Sequence, residues 1–311
     1  MDRTDRIYVA GGETLIGKAL LRQLKENGYA NVIDGSAQTD LTDGPEVDAT
    51  FAATKPEYVF LAAGKSGGIG ANQKYPADLM LDNLLIQCQI IRAAHRHGSR
   101  KLLYVASSCS YPRFCAQPMQ VDSLMTGPLE PTSEAYATAK LAGIKLCQAY
   151  RQQYGIDMIS AIPGDVFGPD DDFDLENAHV IAALMRRMHQ AKMAGEPSVE
   201  VWGSGSPRRE FIAADDVADA AIFLLQHYTG PAPINVGSGF EVTIQSLAEL
   251  LKEIVGFCGK LRFDRTKPDG MALKALDSSA LRALGWRPKT SLRAGLEETY
   301  RWFVDHSQAH A

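Results

Sequence analysis

Short apolar stretches rich in valine, isoleucine and tyrosine recur at residues 7–10, 31–33, 58–62, 101–106 and 158–162, separated by longer segments of polar and apolar residues in helical rhythm. Stretches that are apolar throughout, rather than alternating, fit strands covered on both faces, and strands that alternate with helices predict βαβ units and a parallel sheet. Right-handed crossovers make that sheet doubly wound. The helices are expected at 17–27, 77–97 and 133–154, and the last two are apolar on more than one side, which predicts a homodimer packed through them. After Pro169 the pattern changes to an acidic loop at 170–174, an amphipathic helix near 178–193, a polar strand at 199–202, another helix near 244–255 and a basic, proline-punctuated tail. The expected fold is therefore α/β. A dinucleotide-type domain covers 1–165, with the chain returning to it near 212–236, and a smaller substrate-binding lid is made from 166–211 and 237–311.

Composition narrows the class without naming it. A chain of 311 residues with 45% apolar composition can bury a large core. The net charge of -5 is dispersed, with no basic stripe interleaved with aromatics, so nucleic acid is not an expected partner. No apolar run approaches the roughly eighteen residues of a membrane span, and the opening residues run directly into a strand, so the expectation is a cytoplasmic protein without a membrane partner. The five cysteines, Cys88, Cys109, Cys115, Cys147 and Cys258, have no metal-ligand spacing and read as reduced thiols; no metal is expected.

The candidate chemistry centres on Tyr136 and Lys140. Four residues apart on a helix, they share one face. An ammonium beside a phenol favours the phenolate and brings proton exchange toward neutrality, as a ketone/alcohol redox step needs. Ser107, at the end of the stretch 101–106, completes a Ser/Tyr/Lys constellation. Upstream, Ile7 to Gly17 reads as strand, glycine turn and helix start, which presents backbone N–H groups to a pyrophosphate. Thr14 stands where a three-glycine version of the turn has glycine. Asp34 closes the second stretch, about twenty residues on, where a carboxylate can bond ribose hydroxyls and repel a 2′-phosphate. Asp40 and Leu41 are placed over the adenine, or else begin a loop as a cap.

These residues resemble the extended short-chain dehydrogenase/reductases, with their Rossmann sheet, and among them the epimerase/reductases of GDP-4-keto-hexoses. The resemblance covers roughly residues 5 to 305. It includes Gly67-Gly68-Ile69, Tyr75-Pro76-Ala77-Asp78, Ser107 to Pro112, Leu124 to Thr132, Tyr136 to Cys147, Gly168-Pro169, Val201 to Gly205, Arg208 to Phe211, Lys267 to Gly270 and Leu284 to Trp286. It implies Ser107, Tyr136 and Lys140 as a redox triad and Cys109 and His179 as an epimerising pair. A 4-ketone acidifies its flanking C–H bonds, and inversion needs a base on one face and an acid on the other. It implies a nicotinamide site from Gly11, Gly12, Thr14, Leu15, Ile16, Gly17, Asp34, Asp40, Leu41, Ala62, Ala63, Lys140, Pro163, Val166 and His179. It implies a substrate site from Ser108, Asp165, Arg187, Val201, Trp202, Arg209 and Lys274, for a GDP-linked nucleotide sugar.

Several positions depart from the family pattern. Glu13, Thr14, Asp34 and Ser36 replace a glycine and the cations that favour NADP(H), so the residues themselves favour NAD(H) while the resemblance favours NADP(H). Gly164-Asp165 replaces Thr-Asn, placing an acid near an expected diphosphate, which is unfavourable unless a partner compensates. Ala213 and Met271-Ala272-Leu273 also differ. The alternatives on this fold are a nucleotide-sugar 4-epimerase, an epimerase with internally recycled NAD, and a non-catalytic NAD(H)-binding protein.

Overall fold

The computed structural model describes residues 1–35 and 39–307. In chain order, β1 (Arg6–Ala10), α1 (Leu15–Glu26), β2 (Asn31–Asp34), α2 (Gly44–Thr54) and β3 (Tyr58–Leu61) lead into α3 (Ile69–Lys74), α4 (Pro76–Arg96) and β4 (Lys101–Val105). Next come α5 (Glu134–Tyr154), β5 (Asp157–Pro163), β6 (Asp165–Phe167), α6 (Val180–Ala194), β7 (Ser198–Trp202), β8 (Arg208–Ala213), α7 (Ala214–His227) and β9 (Ile234–Val236). The chain ends through β10 (Glu241–Thr243), α8 (Ile244–Val255), β11 (Lys260–Asp264), β12 (Leu273–Lys274), α9 (Ser279–Ala283) and α10 (Leu292–Ser307).

Six of these strands form one parallel sheet in the order β2-β1-β3-β4-β5-β9. The order reverses between β1 and β3, so the loops leaving those two strands diverge and open a crevice at their carboxyl ends. Both faces of the sheet are covered. Tyr8, Val59, Leu61, Leu102 and Tyr104 pack with Phe51 of α2, Ile90 and Ile91 of α4 and Ile144 of α5. Ile7, Val9, Phe60, Leu103 and Val105 pack on the other side with Leu20 and Leu24 of α1 and Val217 and Leu224 of α7. Each such fully buried side chain contributes roughly 1.5–3 kcal/mol, which is why the strands read as unbroken apolar runs.

A third cluster joins α6, α8 and α10 through Met185, Met188, Leu247, Leu251 and Phe303. Above it β10, β8 and β12 form a small sheet to which β6 adds, and β7 pairs with β11. The buried carboxylate of Glu210 ties this part to the large sheet, accepting hydrogen bonds from Gly239 N and Leu276 N, each at 2.6 Å. Leu281 and Trp286, within the segment assigned from sequence to the lid, pack instead into the large-sheet cluster. The Trp286 indole reaches Asp219 of α7 at 2.7 Å, and that polar anchor draws the segment back. All five cysteines are free thiols, and no helix among the described residues is long and apolar enough to cross a membrane.

Candidate active site

The crevice is a cleft of about 430 Å³ that runs from the β1 turn to the small sheet. Its first wall is the glycine turn. Gly11 has φ +93°, and a Cβ there would meet Ala63 at 2.5 Å, so only glycine lets the turn lie against the end of β3. A Cβ on Gly17 would stand 1.7 Å from the Gly11 carbonyl oxygen. Thr14 needs no glycine conformation: its backbone is extended (φ -77°, ψ 159°), and it is the N-cap of α1. Its hydroxyl accepts from Gly17 N at 3.0 Å and donates to Gly11 O at 2.7 Å. A capping hydroxyl thus stands where the family pattern has glycine, and the helix N-terminus still faces the cleft.

The geometry at Gly12 tests the fit of a dinucleotide. A Cβ on Gly12 would lie 2.2 Å from Asp34 Oδ1, so the Asp34 carboxylate lies directly against the turn. Glu13 is close enough that it and Asp34, after burial itself, raise the pKa of the Tyr8 phenol. The bare turn, the capped helix end and a carboxylate beside them suit a pyrophosphate and a ribose with free hydroxyls. Ser36, expected beside Asp34, lies outside the described residues. Arg22, a possible cation for this end, is held by Asp215 and by Asp170 at 3.6 Å. Asp40 and Leu41 are not walls of the cleft. Asp40 accepts from Thr42 N and Oγ1, a local turn, and Leu41 is buried in the core.

At the centre of the cleft, Ser107 caps a short turn after β4, its hydroxyl accepting from Cys109 N at 3.2 Å. Tyr136 and Lys140 enter from α5. Gln87 of α4 fixes that helix by donating to Ala139 O at 2.8 Å while accepting from the Tyr104 hydroxyl at 2.8 Å. Gly143 makes room for the Tyr104 ring. Lys140 Nζ donates to Val105 O at 3.0 Å, and burial lowers its pKa to about 8. Tyr136 departs from expectation. Burial raises its pKa, proximity to Cys109 adds to the rise, and the hydrogen bond with Ser107 opposes it. The expected phenolate is not favoured here, because desolvation of the phenol outweighs the opposing Ser107 hydrogen bond.

The other wall carries a second set of polar groups. Cys109 lies next to the Ser107 turn, with Lys274 Nζ 3.6 Å from its sulfur. His179 is the N-cap residue of α6, its side chain not used in capping. Burial lowers its pKa, and Asp165 partly opposes that. Asp165 has its compensating partners: Lys274 Nζ at 2.5 Å and Arg209 Nε at 3.9 Å. Burial alone would raise its pKa, but Lys274 and Arg209 hold it below the ordinary carboxylate value. Arg187 sits over the Trp202 ring at 5.4 Å and Lys267 at 5.0 Å, so this half-exposed indole stands among cations at the mouth. Ser108, Pro163, Val166, Val201, Ala62, Ala63, Leu15 and Ile16 line the same cleft.

Glu130 and Asp171 are among the cleft carboxylates not singled out from the sequence. Glu130, buried and paired with Arg113 Nε at 3.2 Å, is signalled only by its proline-flanked motif. Asp171 has one oxygen bonded to Asp172 N at 2.8 Å and the other, Oδ2, enclosed without a hydrogen-bond partner. Burial raises its pKa to about 7. Nothing in a run of acids marks which one folds inward.

Comparison with known proteins agrees with this geometry. A model of the NAD dependent epimerase/dehydratase family matches residues 7–237. GDP-L-fucose synthase 1 of Arabidopsis thaliana is 54% identical over 304 residues, covering 97% of this chain and 94% of that one. A solved GDP-6-OMe-4-keto-L-xylo-heptose reductase from Campylobacter jejuni superposes with a TM-score of 0.94 at 31% identity, covering 98% of this chain and 99% of that one. A GDP-L-fucose synthetase from Naegleria fowleri bound to NADP superposes at 0.91 with 27% identity, covering 99% and 96%. With a parallel six-stranded sheet, a glycine turn at its switch point and this match across most of its length, the chain belongs to the NAD dependent epimerase/dehydratase family of extended short-chain dehydrogenase/reductases.

Proposed function

We propose that this protein is a nucleotide-sugar epimerase/reductase that inverts C3 and/or C5 of a GDP-4-keto-hexose and reduces C4. The observation that carries the reading is the meeting of Cys109 and His179 with Ser107, Tyr136 and Lys140 in one cleft. The nicotinamide, when bound, supplies the hydride for C4. Tyr136 donates the proton that the C4 oxygen takes up, Ser107 hydrogen-bonds the Tyr136 phenol, and Lys140 stabilises the charge Tyr136 is left with. For inversion, one of Cys109 and His179 removes the proton from a carbon flanking the ketone, leaving an enolate. The other returns a proton to the opposite face. His179, with its pKa lowered, is available as a neutral imidazole. Arg187 and Arg209 would hold the diphosphate and Trp202 would stack on the base.

For the cofactor we infer NADH. The Arabidopsis and Naegleria relatives support a GDP sugar and, in the second case, NADP by their names. In this chain, however, Asp34 lies against the turn, Glu13 is close by, and Arg22 is engaged elsewhere. The homodimer reading rests on α4 and α5, which pack together and leave Leu81 and Tyr154 exposed.

The function is tested by offering GDP-, UDP-, CDP- and dTDP-linked 4-keto sugars in deuterated water. Deuterium should enter C3 and/or C5 of the GDP sugar before reduction, and Cys109→Ser should slow that uptake more than it slows reduction of a substrate needing no inversion. Unchanged uptake in both Cys109→Ser and His179→Asn would remove these two residues from the inversion, and no uptake at C3 or C5 by the parent would reduce the protein to a simple reductase or a 4-epimerase.

A further inference from the structure

Asp165, Lys274 and Cys109 form a line of carboxylate, ammonium and thiol on the cleft wall. Lys274 Nζ lies 2.5 Å from Asp165 Oδ1 and 3.6 Å from Cys109 Sγ. The line is built into the sheet rather than left to flexible side chains. In β6 Asp165 is paired with Phe211 of β8, and in β12 Lys274 is paired with Arg209 of the same β8. Arg209 Nε closes the group at 3.9 Å from Asp165 Oδ2. Lys274 is mostly buried, and besides its burial, Asp165 and Cys109 are the neighbours that act most on it, both favouring its charged form.

An ammonium against a sulfur stabilises the thiolate, and a carboxylate nearer to the same ammonium cancels much of that field. The two effects have opposite signs at the sulfur. An amide in its place would keep a hydrogen bond to Lys274 without the negative charge. We propose that Asp165 is a positioning residue that acts on Cys109 together with Lys274: it holds the ammonium beside the sulfur and offsets the ammonium's charge there. The meaning for catalysis rests on the epimerising role given to Cys109 above. The charge relationship itself can be measured with no substrate present.

The experiment follows alkylation of the substrate-free protein by iodoacetamide at about pH 7, reading the Cys109 peptide by mass spectrometry, with the exposed Cys258 as internal reference. Asp165→Asn should speed Cys109 alkylation on the order of fivefold, and Lys274→Met should slow it by a similar factor. Lys274→Arg should stay within about twofold of the parent, and in the Lys274→Met background, where the carboxylate has lost its partner, Asp165→Asn should still speed alkylation. A disturbed fold would move Cys258 as well and would not give the two variants opposite signs. An Asp165→Asn rate equal to or below the parent, or a Lys274→Met rate that does not fall, would overturn the proposal. Neither result would bear on the identity of the sugar, which the deuterium experiment decides separately.

Discussion

Lys140 directs its ammonium to the carbonyl of Val105 at 3.0 Å, at the carboxyl end of the strand that leads to Ser107. That bond anchors a buried charge, and burial lowers the lysine pKa to about 8. The ammonium form is the one present below that pH, and it is lost as pH rises through it. Reduction at C4 should therefore decline above about pH 8 if Lys140 acts as a cation. Rate profiles of the parent and of Lys140→Gln check this, since the variant should be slow throughout and lack that limb.

Tyr136→Phe removes the proposed proton donor and little else, because the ring stays packed. Turnover should fall on the order of a hundredfold or more, with cofactor affinity nearly unchanged. Reduction near the parent rate would remove Tyr136 from the mechanism.

At the turn, the close approach of Asp34 to Gly12 makes the cofactor prediction a matter of charge. A 2′-phosphate brings roughly -1.5 to -2 at neutral pH, and it would meet a carboxylate. NADH should bind at least about tenfold more tightly than NADPH, or about 1.4 kcal/mol. Asp34→Asn should narrow that ratio, mainly by improving NADPH. Calorimetric titration of both cofactors decides it, and equal or tighter NADPH binding to the parent would refute the assignment.

Asp171 gives a prediction about stability. Its pKa in the fold, about 7, lies above the ordinary 3.8, so the native state holds a proton that the unfolded chain releases between those values. Stability should thus fall as pH rises from about 4 to 7, with no further loss from this group above it. Asp171→Asn keeps an oxygen for Asp172 N and has no charge to bury, so it should be more stable than the parent by roughly 4 kcal/mol at pH 8 and by little at pH 4. Thermal melts of both proteins across that range measure the difference. Parallel pH dependence would mean that the Asp171 carboxylate is adequately solvated.

What the sequence determined by itself was whatever depends on neighbours along the chain. The apolar runs at 7–10 and 101–106 became β1 and β4, and the helical rhythm at 133–154 became α5, because periodicity and burial on two faces are local patterns. The same holds for Tyr136 and Lys140, whose four-residue spacing is a property of one helix, and for the glycines of the β1 turn. Contacts between distant segments were decided only in three dimensions. Asp165 looked unfavourable until strand pairing through β8 brought Lys274, 109 residues away, to its carboxylate. Trp286 returned to the large sheet because Asp219 of α7 was there to accept its indole N–H. Asp171 could not be told from its acidic neighbours until folding enclosed one of its oxygens. The pKa direction at Tyr136 likewise came from the depth of its burial, since desolvation depends on everything packed around a group and not on the residues beside it in sequence.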